Sequence, residues 1–320
     1  MSFNPLNLIE VAVLAFGVTL FIIPYIRRRL IEKNYISPDY YKRGNPMKPT
    51  YGGIVILVGV MASLILAQFY VESGEMIRIM VLYFIAFNFA ILGLVDDLLD
   101  IPRPIKFFLP LFIAMPIALL NIDPILNFGS ITFKLNFVYP FIISPIYVMV
   151  VANLVNMHSG YNGLAGGLTT ILLGAITIKA YLQHGEQSLF YVAPILGALL
   201  AFMIYNLYPT QLFMGNIGSM LLGSITGALI VALNMEYFGF IILIPHTINF
   251  LLFVYWKVFK KPWAKYGTID EQGHLKVPNN LTLKWVAPYY YKMTELQATL
   301  ISYGYTILFC IIGLFATLKA

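Results

Sequence analysis

Two adjacent aspartates close an apolar run in this chain, Asn88-Phe89-Ala90-Ile91-Leu92-Gly93-Leu94-Val95-Asp96-Asp97-Leu98-Leu99-Asp100. Carboxylates at the mouth of an apolar helix are costly to keep there, and they usually mark function. If the helix continues, Asp97 and Asp100 share a face with Asp96 beside them. Such a cluster suits a hard cation with oxygen ligands, Mg²⁺ first and Mn²⁺ as the alternative. The plainer reading is that the carboxylates only mark where the helix meets water. Lys106 follows six residues beyond Asp100. A lysine converging on metal-binding carboxylates fits a pyrophosphate substrate.

Two further segments are rich in amides and glycine. The first is Asn153-Leu154-Val155-Asn156-Met157-His158-Ser159-Gly160-Tyr161-Asn162-Gly163-Leu164-Ala165-Gly166-Gly167. Its amides supply donors and acceptors without net charge, which suits a nucleobase edge, a sugar hydroxyl or a metal. Its glycines let backbone approach a ligand, although Asn and Gly also favour helix ends. The second runs from Asn206 through Pro209 to Gly215-Asn216-Ile217-Gly218-Ser219. Pro209 ends the preceding helix, and the next helix N-terminus offers free N–H groups to phosphate. Gly218, Ser219 and Gly223 also have the sizes that let membrane helices pack closely.

The elements that must position these residues are membrane helices. Hydrophobic residues make up 60% of the chain and charged residues 11%, which is too little polar surface to coat a soluble domain of 320 residues. Mean hydropathy is +0.81. Apolar stretches of about 20 residues, each long enough to span a bilayer, recur along the chain. The expected fold is an all-α polytopic membrane protein forming a single domain over residues 1–320. Ten spans are expected at roughly 6–26, 51–71, 76–95, 105–121, 138–156, 163–182, 188–207, 217–235, 237–257 and 297–317. A basic cluster follows the first stretch rather than preceding it, which argues against a cleaved signal peptide. Cys310 is the single cysteine, so no intrachain disulfide forms.

Charge placement sets the expected orientation. All Lys and Arg except Arg78, Lys134, Lys179 and Lys319 fall in or beside the first, third and ninth loops. The positive-inside rule makes those loops cytoplasmic and leaves both termini outside. The acidic cluster and both amide-rich segments then face the cytosol. The largest non-membrane piece, about 258–296, contains Tyr266-Gly267-Thr268-Ile269-Asp270-Glu271-Gln272-Gly273-His274-Leu275-Lys276-Val277, whose alternation around a Gly-containing turn reads as a cytoplasmic hairpin or flap. Carboxylates for a metal, amides for a nucleotide or sugar, and lysines for phosphate, all at one edge of a lipid-buried bundle, suggest transfer between a soluble phosphorylated donor and a lipid acceptor.

In this order the motifs resemble the polyprenyl-phosphate N-acetylhexosamine-1-phosphate transferases, the superfamily that includes the bacterial enzyme making lipid I. The resemblance covers nearly the whole chain. It rests on Pro49 with Gly52-Gly53, the Asp96-Asp97 pair, Lys106, Asn153 and Asn156 followed by Asn162-Gly163-Leu164, and the turn 215–219. Asn206-x-Tyr208-Pro209, Ile244-Pro245 with Asn249-Phe250-Leu251, and Asn279-Asn280-Leu281-Thr282-Leu283 are similar to the archaeal and eukaryotic branch acting on dolichyl phosphate. That branch carries an Arg-His-Arg in the ninth loop, and the bacterial branch a His-rich motif. Here Lys260, Lys261 and Lys265 stand about there. The family's usual Asp in the 215–219 turn is Asn216 in this chain.

The resemblance implies transfer of N-acetylglucosamine 1-phosphate from UDP-N-acetylglucosamine to a dolichyl-type polyprenyl phosphate, with UMP released. It implies catalytic roles for Asp96, Asp97 and Lys106. Asn162, Asn216, Asp97 and Asp100 are the implied metal ligands. Asn153, Asn156, Asn162, Lys48, Asn206, Lys260, Lys261 and Lys265 are the implied substrate contacts. The implied setting is an archaeal cell membrane or the endoplasmic reticulum, with the bilayer as partner, a homodimer open and no nucleic acid involved. Another UDP-N-acetylhexosamine donor, a non-catalytic nucleotide- or lipid-binding relative and a secondary transporter are the competing readings.

Overall fold

A computed structural model of the chain describes residues 4–120, 123–128, 131–259, 264 and 266–318. Helix α1 (Pro5–Glu32) opens on Asn4, whose side chain accepts from the Leu6 N–H, with Pro5 in the first turn, where its missing N–H costs nothing. A short antiparallel pair, β1 (Ile36–Pro38) and β2 (Met47–Pro49), leads into α2 (Gly53–Ala67). Then come α3 (Ser73–Leu99) and α4 (Arg103–Ala114), which tightens into a 3-10 stretch at Met115–Leu120. A hairpin of β3 (Ile125–Phe128) and β4 (Ile131–Lys134) follows, and a π-helical turn at Tyr139–Ile143 runs into α5 (Ser144–Met157).

Helices α6 (Leu164–His184), α7 (Ala193–Asn206) and α8 (Gly215–Ala232) come next. The ninth expected span is two helices, α9 (Glu236–Ile242) and α10 (Ile244–Phe259), bent by 58°. The piece beyond holds a small hairpin, β5 (Thr268–Ile269) with β6 (Leu275–Lys276), and the eight-residue α11 (Leu283–Tyr290). Helix α12 (Glu295–Ala316) starts with a reciprocal cap, Thr294 and Gln297 each bonding the other's backbone N–H.

Six of the described helices are long and apolar enough to cross a membrane, and the bent α9–α10 pair makes a seventh. The other three expected spans coincide with shorter apolar helices at Gly53–Ala67, Pro104–Leu120 and Ala193–Asn206. The chain is an integral membrane protein.

Helix α8 is the axis of the bundle: every residue from Ile217 to Ala232 is buried, most closely against α3 and α5. Missing side chains permit the approach. A Cβ on Gly53 of α2 would stand 2.3 Å from the Gly218 backbone, and one on Gly93 of α3 would stand 2.4 Å from the Asn216 carbonyl oxygen. Small residues at crossings give membrane helices their van der Waals contact, since apolar burial gains little in lipid. A second, smaller core joins Tyr41, Tyr161, Trp256, Leu275, Trp285 and Met293, packing the β5–β6 hairpin and α11 over one end of the bundle.

Candidate active site

The C-terminus of α3 and the N-terminus of α8 meet at that end. The Asn216 backbone N–H donates to Asp97 Oδ2 at 2.7 Å, and the Asn216 side-chain amide donates to Asp96 Oδ2 at 3.3 Å. A carboxylate at a helix N-terminus is favoured by free N–H groups and by the helix dipole. Gly215 makes the approach possible: its φ is +73°, and a Cβ there would stand 3.1 Å from Asp97 Oδ2. The chain ahead of α2 braces the same turn. Gly52 and Gly53 donate to the carbonyls of Phe213 and Met214, and Phe213 donates back to Pro49, all at 2.8 Å.

Lys106 reaches both neighbouring acids, Asp96 Oδ1 at 2.7 Å and Asp100 Oδ1 at 3.1 Å. The expected sharing of one helical face by Asp97 and Asp100 does not occur. Helix α3 stops at Leu99, and Asp100 takes a left-handed backbone (φ 45°) with its side chain 98% exposed. Asp100 is therefore a rim residue clasping Lys106, and it does not line the cavity described next. Asp96 also accepts from the Ile101 N–H at 3.2 Å. Its oxygens are thus taken up by Lys106, Asn216 and the chain, while Asp97 faces the cavity.

That cavity holds about 540 Å³, within the size range of small-molecule sites. Asp97, Asn156, Asn206 and Asn216 line one part of it, and Tyr41, Tyr161, Trp256 and Trp285 another. Asn156 Oδ1 accepts from Ser219 Oγ at 2.6 Å, which fixes α5 against α8. Asn206 is buried and donates to the Leu212 carbonyl at 3.0 Å, shaping the α7–α8 turn. Asn153 folds back on its own helix, donating to the Met149 carbonyl, and does not line the cavity. Lys48, half-buried on β2, stands outside the lining as well. Lys260, Lys261 and Lys265 lie outside the described residues.

Asn162 lines the cavity but spends its groups on the chain. Its side-chain N–H donates to Asp39 Oδ2 at 3.3 Å, its side-chain oxygen accepts from the Thr210 N–H at 2.9 Å, and its backbone N–H donates to Glu295 Oε1 at 2.6 Å. In that geometry Asn162 ties three loops together at the cavity wall. Lys42 completes the knot. It donates to Glu295 Oε2, lies 3.8 Å from Asp39 Oδ2 and stacks its ammonium over the Tyr208 ring at 4.1 Å. Asp39 and Glu295 are each 2% exposed.

Asp39, Glu295 and Lys284 escaped the sequence reading as site residues, and Lys42 registered only as basic charge. The available signals were an acid inside the basic segment 38–48 and the Thr294-x-x-Gln297 capping pattern beside Glu295. Lys284 lines the cavity, and its Nζ donates to the Ser159 carbonyl at 2.5 Å. Burial pushes its ammonium down to about 8. Tyr41, whose hydroxyl accepts from the Gly267 N–H, is pushed up by burial.

Residues 79–234, which carry the acidic pair, both amide segments and α8, match the family model described as Glycosyl transferase family 4. A protein of Sulfolobus acidocaldarius named for UDP-N-acetylglucosamine-dolichyl-phosphate N-acetylglucosaminephosphotransferase is 28% identical, over 98% of this chain and 97% of its own length. A like-named protein of Saccharolobus solfataricus is 28% identical over 94% of each chain. The phospho-N-acetylmuramoyl-pentapeptide-transferase of Streptococcus equi subsp. zooepidemicus is 30% identical, over 79% of this chain and 82% of its own. This chain belongs to glycosyl transferase family 4.

Proposed function

We propose that the chain transfers N-acetylglucosamine 1-phosphate from UDP-N-acetylglucosamine to a dolichyl-type polyprenyl phosphate, releasing UMP. The observation that carries this reading is Asp97 held on the Asn216 N–H in the first turn of α8, at the wall of a cavity that also has an aromatic part. The near full-length similarity to the two archaeal relatives favours this donor and acceptor.

A divalent cation fits the donor set. Magnesium takes one or two carboxylates and completes its shell with water and substrate phosphates. Among the described residues, no three His, Cys, Asp or Glu side chains form a cage that would hold a metal without substrate. Asp97, with the amide oxygens of Asn216 and Asn156 on the same cavity wall, is what a cation shared with a diphosphate requires. When bound, the cation would neutralise charge on the diphosphate and on departing UMP.

The chain's residues supply positioning. Asp97 is the carboxylate presented to the cation. Asp96 and Asp100 hold Lys106, whose ammonium offsets the acidic pair and draws in the lipid phosphate. The acceptor phosphate has a second pKa of about 6, so it is mostly dianionic at neutral pH and needs no side-chain base. One of its oxygens attacks the β-phosphorus, the bond from that phosphorus to the bridging oxygen breaks, and UMP leaves with the electron pair. The basic residues of the loops at this end support a cytoplasmic site, with the three shorter apolar helices completing ten spans.

UMP release by purified protein in detergent tests the reading, with Mg²⁺, dolichyl phosphate and a panel of UDP-sugars. Release that needs UDP-N-acetylglucosamine, lipid and metal together is expected. Release with a different UDP-sugar alone would reassign the donor, and none with any donor would refute transfer.

A further inference from the structure

The first turn of α11 forms a part of the cavity that the transfer step leaves unused. Lys284 sits there with one hydrogen bond, to the Ser159 carbonyl, and its Nζ lies 5.7 Å from the ring centroids of both Tyr161 and Trp285. Among the described residues it forms no ion pair. Thr282, at the cap position of α11, is 7% exposed, lines the same cavity, and its hydroxyl has no partner within the described chain. A buried hydroxyl and a cation without a counter-ion are both expensive unless a ligand completes them.

The surroundings hold this turn in place. Asn249 of α10 accepts from the Leu283 N–H at 2.9 Å and donates to the Met157 carbonyl at 3.2 Å, pinning α11 to the end of α5. Gly160 leaves the space that the ammonium fills, since a Cβ there would stand 2.3 Å from Lys284 Nζ. The wall then continues to the acidic pair. Ser159 Oγ donates to the Asn156 carbonyl, Asn156 Oδ1 accepts from Ser219 Oγ, and Ser219 stands one turn into α8, beyond Asn216. An anion joined to a flat ring meets its complement here: ammonium and hydroxyl for the anion, Tyr161 and Trp285 for the ring.

We propose that Lys284 and Thr282 bind a phosphate of the nucleoside diphosphate donor, at the α11 end of the cavity. The inference rests on the cavity being the donor site, but it requires no turnover for its test. Monocationic lysine suits a phosphate oxygen as a point charge, and the Thr282 hydroxyl adds a second donor.

The test is calorimetric binding of UDP and of uridine, each with Mg²⁺, to the full-length protein in detergent. Lys284→Met is expected to weaken UDP by about tenfold or more, the loss of one charge-assisted contact, and to leave uridine unchanged. Lys284→Arg should recover most of the UDP affinity. Thr282→Val should weaken UDP by a smaller factor. Equal losses for UDP and uridine would assign Lys284 to shaping the cavity and overturn the proposal, as would wild-type UDP affinity in Lys284→Met or no UDP binding by the wild type. If the wild type binds UDP in this lysine-dependent way yet never releases UMP, the transfer reading fails and this assignment stands. If UMP is released and Lys284→Met binds UDP normally, the reverse holds.

Discussion

The backbone N–H of Asn162 donates to the carboxylate of Glu295 at 2.6 Å, joining the turn before α6 to the first residue of α12 across 133 positions. Lys42 meets the other oxygen of the same carboxylate. One buried acid thus fixes three distant parts of the cavity's surroundings. Glu295→Ala leaves a half-buried ammonium and a buried N–H without their acceptor, and breaking such a pair costs about 3–5 kcal/mol. Thermal unfolding in detergent should drop clearly, with Glu295→Gln between the two because its amide oxygen still accepts from Asn162. An unchanged transition in Glu295→Ala would remove the carboxylate from the stability of this end.

Asp96 and Asp97 should separate in kinetics. Asp97→Asn is expected to lower UMP release by at least about 10², the scale for losing a key electrostatic contact, without moving the unfolding transition. Asp96→Asn keeps an oxygen for Lys106 and should lose less. Equal losses in the two variants, or near-normal turnover in Asp97→Asn, would contradict the division of roles.

Asn216 donates to Asp96, and an aspartate there cannot. Asn216→Asp sets a third carboxylate against the pair, with Lys106 as the cation already committed. Without metal the variant should melt below the wild type, and Mg²⁺ should raise its melting temperature more than it raises that of the wild type. Thermal scans with EDTA and with Mg²⁺ check both. Identical Mg²⁺ shifts would place the cation away from this position.

Gly53→Ala tests the α2–α8 crossing. Its new methyl would lie 2.3 Å from backbone atoms of Gly218, which no side-chain rotation relieves. Overpacking of this kind costs about 1–3 kcal/mol, and the shift passes to the turn carrying Asn216. Lower stability together with weaker Mg²⁺ dependence is expected. Wild-type values for both would show that the helices separate freely.

Donor affinity should depend on pH through Lys284. Burial holds its ammonium near 8, Glu295 favours the charged form, and His158 and Tyr161 lie on the neighbouring segment. The charge is present below about 8 and lost above it, so kcat/KM for the donor should fall as pH rises through that value. Lys284→Arg keeps its charge throughout and should shift the fall upward. A wild-type profile flat through this range would deny Lys284 a part in binding the donor.

The parts of this site that were legible in the sequence are those carried by helix ends. Asp96 and Asp97 finish an apolar run and Asn216 starts one, so their meeting needs only antiparallel neighbours. Asp100 misled because its spacing assumed one more helical residue, whereas the backbone turns left-handed directly after Leu99. Helix α11 was hidden by its length and by Pro288 within it. The β3–β4 pairing sits in a stretch that read as a connection, and the bend between α9 and α10, next to Pro245 and His246, breaks a run that read as one span. The Lys42–Glu295 pair was out of reach for a different reason. The partners are 253 residues apart, and nothing local to either announces the other.

The place of Glu295 at the head of the last helix has a consequence for how the molecule is made. Synthesis runs from the N-terminus, and earlier segments assemble first. A nascent chain that has reached Phe259 already owns Asp97, Asn216 and the axis α8. Lys42 and the Asn162 N–H still lack their acceptor, and the α11 turn does not yet exist. The tie between the segment carrying Lys42 and the turn carrying Asn162 therefore forms only once α12 has begun. A product truncated before residue 295 keeps its acidic pair but leaves Lys42 and the Asn162 N–H, at the same end of the bundle, without the carboxylate that joins them.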